Sequence, residues 1–489
     1  MPASTVGRKR KNFESERYEQ LMQTGISDTQ LHAVLNIFEE NAPSLRTVQR
    51  QVGTLLEHDC AIYVKQELQA IKGKPVELWH ANIQRLYSHI CATSECWKDL
   101  LRTAGSKLSV LLYADEIQAG NILHPLQGKK ITFFYCTVKE LGPFLVKKPA
   151  TWFPVAAVVY ADVARTLGGT SAIFRALIRD FMAITQPCQI HEDLPLVRLE
   201  IAGVVADMDA QRAIFSSKGS AGWKPCLFCS NICKDLEHLD TSIFFTVASD
   251  AVSKFQMTSD DDLFEAYDAL LNEKSTLSKK DWERRCKVLG LEPSPQTLLG
   301  DTLARSVLPP SKALNDFMHV YLNNGIASWE VISLLERLKQ RCDVGLDTLQ
   351  AFAADQDWKT ARPGCSAAFR RHLFVEKKFT ETFRGPAFEL AMLLPLLQFF
   401  LETTVSEAME RELHCFRHLV EICRQYHRLL AHDGFPLLPL QRLQEAHQTL
   451  TMDLYGPSCA KPKHHHRFHI PLQAEKLFLG ILCFQSCVE

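Results

Sequence analysis

The chain carries no excess of charge of either sign: 55 lysines and arginines stand against 56 aspartates and glutamates, a formal net charge of −1 over 489 residues. Overall charge therefore does not direct it to a polyanion, and any contact with nucleic acid must be made by a local patch. Long hydrophobic runs are missing too. No window approaches the roughly 18 consecutive apolar residues that cross a bilayer, so the chain reads as soluble, with no membrane partner. Its 16 cysteines are too sparse for a small disulfide-stapled scaffold, and the polar start "MPASTVGRKRKNFESERYEQ" holds no secretory apolar segment. A reduced intracellular setting is expected. Internal repeats and long low-complexity segments are also lacking, which sets solenoids and disordered arrays aside.

What is present is a hydrophobic content of 46%, ample for a sizeable core. Residues 1–12 read as a basic tail, in which Arg8, Lys9, Arg10 and Lys11 are a candidate nuclear-import or DNA-contacting patch. Residues 13–104 read as helical. The segments "DTQLHAVLNIFEE" and "LRTVQRQVGTLLEH", broken by Asn-Ala-Pro-Ser with Ser44 as a new N-cap, form either a helix-turn-helix or a plain packing hairpin.

From Lys107 the texture changes. "LSVLLYAD", "KKITFFYCTV" and "WFPVAAVVYAD" predict three strands, "TSAIFRALIRDFMAI" an amphipathic helix and "LVRLEIAGVVAD" a fourth strand. The order β-β-β-α-β over 105–235 matches the beginning of an α/β core of the ribonuclease-H-like type, a mixed sheet. Residues 236–460 read as a large all-α insertion, with "VISLLERLKQRC", "AFELAMLLPLLQFFLETT" and "ELHCFRHLVEICRQYHRLLAH" in helical period. Residues 461–489 open on a histidine cluster and stop on Glu489, and read as a return to the core that is cut short.

Several residues there suit metal chemistry. Asp115 and Asp207 each follow an apolar run and are expected at strand ends, where paired carboxylates can hold two divalent ions about 3.5–4 Å apart. Either could equally cap a turn or a helix. Cys226 and Cys229, in "KPCLFC", make half of a tetrahedral zinc site. The other half is expected from "KHHHRFH", as His464 or His465 with His469, and Cys233 is a substitute ligand. Asp316 and His319, in "NDFMHVYLNNG", are three apart and share one helix face.

In this order the motifs "LLYADEIQAGN", "FFYCTVKELG", "VVADMDAQRAIFSSKGSAGWKPCLFCSN", "NDFMHVYLNNG" and "KPKHHHRFHIP" resemble the DDE-type DNA transposases. More closely, they resemble those with a ribonuclease-H-like core interrupted by an all-helical insertion, the CACTA, hAT and Kyakuja-Dileera-Zisupton group. The resemblance covers roughly Lys107 to Glu489. It implies Mg²⁺-dependent (or Mn²⁺-dependent) DNA strand cleavage and transfer. Asp115 would be the first acid, Asp207 the second with Asp209 as its substitute, and Glu489 the last with Glu389 as runner-up. It also implies structural Zn²⁺ at Cys226, Cys229, His465 and His469, a supporting role for Asp316 and His319, and double-stranded DNA as partner. A homo-oligomer and a nuclear location follow from the same expectation. A last acid at the very end of the chain would be poorly held, which keeps a second expectation open: a DNA-binding or scaffold protein that retains the fold and the zinc but not strand transfer.

Overall fold

The computed structural model describes residues 62–118, 130–146, 148, 151–182, 186–355, 383, 385–429 and 437–477. Arg8, Lys9, Arg10, Lys11, the two expected helices around Ser44, and Glu489 lie outside the described residues. The protein is of the α/β class. Among the described residues seven strands form: β1 (Tyr63–Leu68), β2 (Val76–Ala81), β3 (Lys107–Gln118), β4 (Lys130–Val138), β5 (Phe153–Val159), β6 (Arg198–Ala206) and β7 (Ala313–Asn315). They form one mixed sheet in the order β1-β2-β5-β4-β3-β6-β7. The chain divides into two compact units, Met1–Glu140 with Trp152–Ile201, and Leu141–Thr151 with Ala202–Glu489.

In the first unit β4 lies between β3 and β5, antiparallel to both. Its run of β-branched and aromatic residues is buried on both faces, as a central strand requires. Helix α1 (Ile83–Thr93) starts at Asn82, whose side chain accepts from Arg85 N at 3.0 Å. Helix α2 (Gly169–Met182) buries Ile173, Phe174, Leu177, Ile178 and Phe181, and Phe174 meets Phe134 of β4 edge to face at 5.2 Å between ring centres.

Two expectations are corrected in this unit. The stretch expected to be helical to residue 104 contains the antiparallel hairpin β1–β2, in register from Tyr63↔Ala81 to Leu68↔Val76. The six residues VELWHA of β2 alternate between buried and exposed for most of their length, and Gly73, at φ +84°, supplies the left-handed turn residue. Second, Asp115 does not end its strand. β3 runs on to Gln118, with Asp115 opposite Phe133 and Glu116 paired to Lys130 at 3.2 Å.

In the second unit β6 and β7 are parallel, with Val204↔Ala313, Val205↔Leu314 and Ala206↔Asn315. This close pairing depends on Gly203, where a Cβ would lie 2.7 Å from Leu314 Cδ1 and 2.9 Å from Lys312 O. β7 also corrects the expectation that 236–460 is all-α. Helix α3 (Met208–Ile214) follows β6 directly. The larger helices are α4 (Ile326–Cys342), α5 (Ala387–Thr404), α6 (Glu410–Leu429) and α7 (Leu437–Tyr455), and the short α8 (Pro462–His466) and α9 (His469–Leu477) close the described chain. Helix α5 is long and apolar enough to cross a membrane, yet it contains Pro395, Gln398 and Glu402 and buries Leu390, Leu393, Leu397 and Phe400 inside the unit.

Candidate metal centre

Cys226 and Cys229 lie in a loop held by its own backbone and by one buried side chain. Asn231 donates through Nδ2 to Ile243 O (2.8 Å) and Lys254 O (3.0 Å), and its Oδ1 accepts from Gln256 N at 2.9 Å. The amide of Phe228 donates to Cys226 Sγ at 3.3 Å, which favours the thiolate. Across from this loop α8 and α9 present His465 and His469, one helical turn apart.

The four donor atoms lie within 4.8 Å of one another and all four residues are buried. His469 Nε2 is 3.3 Å from Cys226 Sγ, 3.6 Å from Cys229 Sγ and 3.0 Å from His465 Nε2. A tetrahedral zinc ion with its usual bond lengths would set donor edges of about 3.3–3.8 Å; the two sulfur–nitrogen distances fall in that range and the imidazole–imidazole distance of 3.0 Å is slightly shorter. Phe228 and Phe255 pack on the two imidazoles, at 5.0 Å from His469 and 4.9 Å from His465, and keep water out. Burial opposes ionisation of Cys226, but the bond to Cys229 and the charges of His469 and His465 outweigh it and hold its thiol well below the usual range. The same pairing, with burial, pushes Cys229 up. A cation between the sulfurs would remove that asymmetry and ionise both. Two thiols and two imidazoles, buried and mutually in contact, can hold a metal ion.

The alternative ligands point elsewhere. His464 accepts from Lys461 N through Nδ1 at 3.0 Å and lies on Trp329 at 5.5 Å. Cys233 is buried outside the quartet, its amide bonded to Phe245 O at 2.8 Å.

The acids occupy different places. The β6–β7 register makes Asp207 and Asp316 the next residues along two neighbouring parallel strands, at one sheet edge. Gln211 clasps both strands, donating to Ala206 O (3.1 Å) and Leu314 O (2.8 Å). Asp207 is the N-cap of α3, accepting from Ala210 N at 2.6 Å. Asp209 is exposed and 3.6 Å from Arg212. Asp316 is buried; Oδ1 accepts from Met318 N at 2.9 Å and Oδ2 lies 2.7 Å from His319 Nδ1. His319 lies inside a π-turn, Met318–Leu322, and Asp316 precedes it by two residues, in place of the regular helix expected. Glu389, in the first turn of α5, is half-buried. Neither donor group that closes within 4.8 Å contains Asp115, Asp207 or Glu389. Glu489, the expected last acid, lies outside the described residues, so the described residues hold no complete magnesium set.

The chain matches no protein-family model and no curated protein.

A second buried group, Glu330, Cys415 and His447, also closes within 4.8 Å. Here the protons argue against a metal. Arg467 Nη1 lies 2.7 Å from His447 Nδ1, and a guanidinium can only donate, so Nδ1 accepts. The ring proton is then on Nε2, 2.8 Å from Glu330 Oε2. A cation on Nε2 would force two donors to face each other at Nδ1. Burial pushes the Cys415 thiol up, and Glu330 adds to this. The group is a neutral imidazole bridging a buried ion pair.

Sequence reasoning missed this bridge, because Glu330, His447 and Arg467 share no spacing. It also missed Lys463, whose Nζ donates to Asn323 O (3.1 Å) and Asn324 O (3.0 Å). Burial lowers the Lys463 pKa against the pull of Asp207, Asp209 and Asp316, so its ammonium lies in the field of all three acids.

Proposed function

We propose that the chain is a DDE-type transposase core, a ribonuclease-H-like sheet with a helical insertion whose return is clasped to it by a structural zinc ion. Cys226, Cys229, His465 and His469 would hold the zinc. The observation that carries this reading is the quartet: donors about 240 residues apart in sequence meet at the edge lengths a tetrahedral ion sets. The resemblance attaches a catalytic site to such a clasp, with Asp115, Asp207 and Glu489 as magnesium ligands and Asp209 or Glu389 as substitutes. Divalent ions there would supply activation of an oxygen for attack on a phosphodiester. Double-stranded DNA would be the partner, a homo-oligomer the working form and the nucleus its place.

One observation favours the second reading, a DNA-binding or scaffold protein without strand transfer. Asp207 is engaged as a helix cap, Asp316 is held by His319 and Met318 N, and Lys463 already brings a cation into their field. Incubation of the purified chain with linear duplexes and Mg²⁺ or Mn²⁺ separates the two. Strand cleavage that disappears in Asp115→Ala and Asp207→Ala supports the transposase reading. DNA binding without cleavage supports the second, and absence of both overturns the DNA assignment.

A further inference from the structure

Among the described residues β7 is the last strand of the sheet, three residues long, with β6 on one side only. A strand in that position leaves backbone groups on its open side that must find partners. The partner is a single side chain. Gln473 Oε1 accepts from Asn315 N at 2.8 Å, and its Nε2 donates to Ala313 O at 3.1 Å. The primary amide thus makes the two bonds that a peptide group of a further strand would make, and it does so while buried. The next residue, Asp316, is at the sheet edge beside Asp207.

Gln473 lies one helical turn beyond His469 on α9, and His469 lies one turn beyond His465. Two neighbours reinforce the connection. His466 Nδ1 lies 3.3 Å from Asn315 Oδ1, and Lys463 Nζ holds the carbonyls of Asn323 and Asn324 after the π-turn. The segment that a metal ion would pin to the cysteine loop is the segment that closes the open edge of β7.

We propose that Gln473 is a positioning residue: its amide transmits metal binding at Cys226, Cys229, His465 and His469 to β7, and so sets Asp316 beside Asp207. This rests on the zinc reading above. With the metal bound, α9 is held and the amide is docked. With the metal removed, α9 loses its anchor and the β7 edge opens.

Hydrogen exchange on the full-length chain, read at the amide of Asn315 with and without a zinc chelator, tests this. In the zinc-loaded wild type the Asn315 amide should exchange at least about tenfold more slowly than in the stripped protein, the free-energy equivalent of one hydrogen bond. Gln473→Met, which keeps the length but not the amide, should exchange as fast as stripped wild type while its zinc content and the visible spectrum of its Co²⁺ form stay unchanged. Gln473→Glu keeps the acceptor for Asn315 but cannot donate to Ala313 as a carboxylate, and should fall between the two. Equal exchange in wild type and Gln473→Met, or equal exchange with and without zinc, overturns the inference. A wild-type chain that takes up no metal overturns the zinc reading itself, an outcome the metal content separates from a failure of transmission.

Discussion

A donor removed from the Cys226–His469 quartet is not replaced by either alternative ligand named from the sequence, because His464 is held by Lys461 N and Trp329, and Cys233 packs outside the quartet. Cys226→Ser and His469→Ala should therefore lose the metal, whereas Cys233→Ser should keep it; metal analysis of the purified variants reads this. His447 makes a second prediction. Burial holds its pKa below the ordinary 6.5, against the pull of Glu330, while Arg467 and His418 push the same way as burial. The folded state thus binds fewer protons than the unfolded one below pH 6.5. This part of the stability is complete above about pH 6.5 and falls by up to ~1.4 kcal/mol per pH unit as the pH drops towards the folded pKa. His447→Gln should flatten the dependence of unfolding free energy on pH between 7 and 5, measured by urea titration. Glu330→Ala leaves Arg467 buried without its counter-charge and should destabilise by about 3–5 kcal/mol, more than Glu330→Gln, which keeps an acceptor for the His447 proton.

Among the elements, the β6–β7 pair is the most sensitive to substitution. Gly203→Ala would drive a methyl group into Leu314 and the Lys312 carbonyl, and should cost about 1–3 kcal/mol in denaturant unfolding. How much of the fold could be read from sequence follows the length of each signal. β4 and β6 are nine-residue strands rich in apolar and β-branched residues, and α2 has a clear helical period, so all three were legible. β1 and β2 are six residues each, and their alternation was masked by helical patterns on both sides. β7 has three residues, too few for any period, and exists because Gly203 lets it approach β6. Asp115 was expected at a strand end because it follows the apolar run SVLLYA, yet β3 continues through polar residues to Gln118.

For the whole molecule, the metal quartet was legible because Cys-x-x-Cys and a histidine pair one turn apart are spacings that a tetrahedral ion dictates. The choice of His465 over His464 was not, since that depends on which face α8 turns to the loop, a tertiary fact. Gln473 continued the His465 and His469 stripe at the same spacing, yet a glutamine carries no metal signal and its role appears only once β7 is known to be an edge. The catalytic reading of Asp115, Asp207 and Glu489 rests on the resemblance, and cleavage assays decide it. The zinc clasp rests on geometry, and the metal content of the chain purified without chelators tests it most directly. The account predicts one zinc ion per chain, lost in His469→Ala and in Cys226→Ser, as a closed four-ligand site requires. Wild-type protein without zinc, or zinc retained at full stoichiometry in both variants, would contradict it.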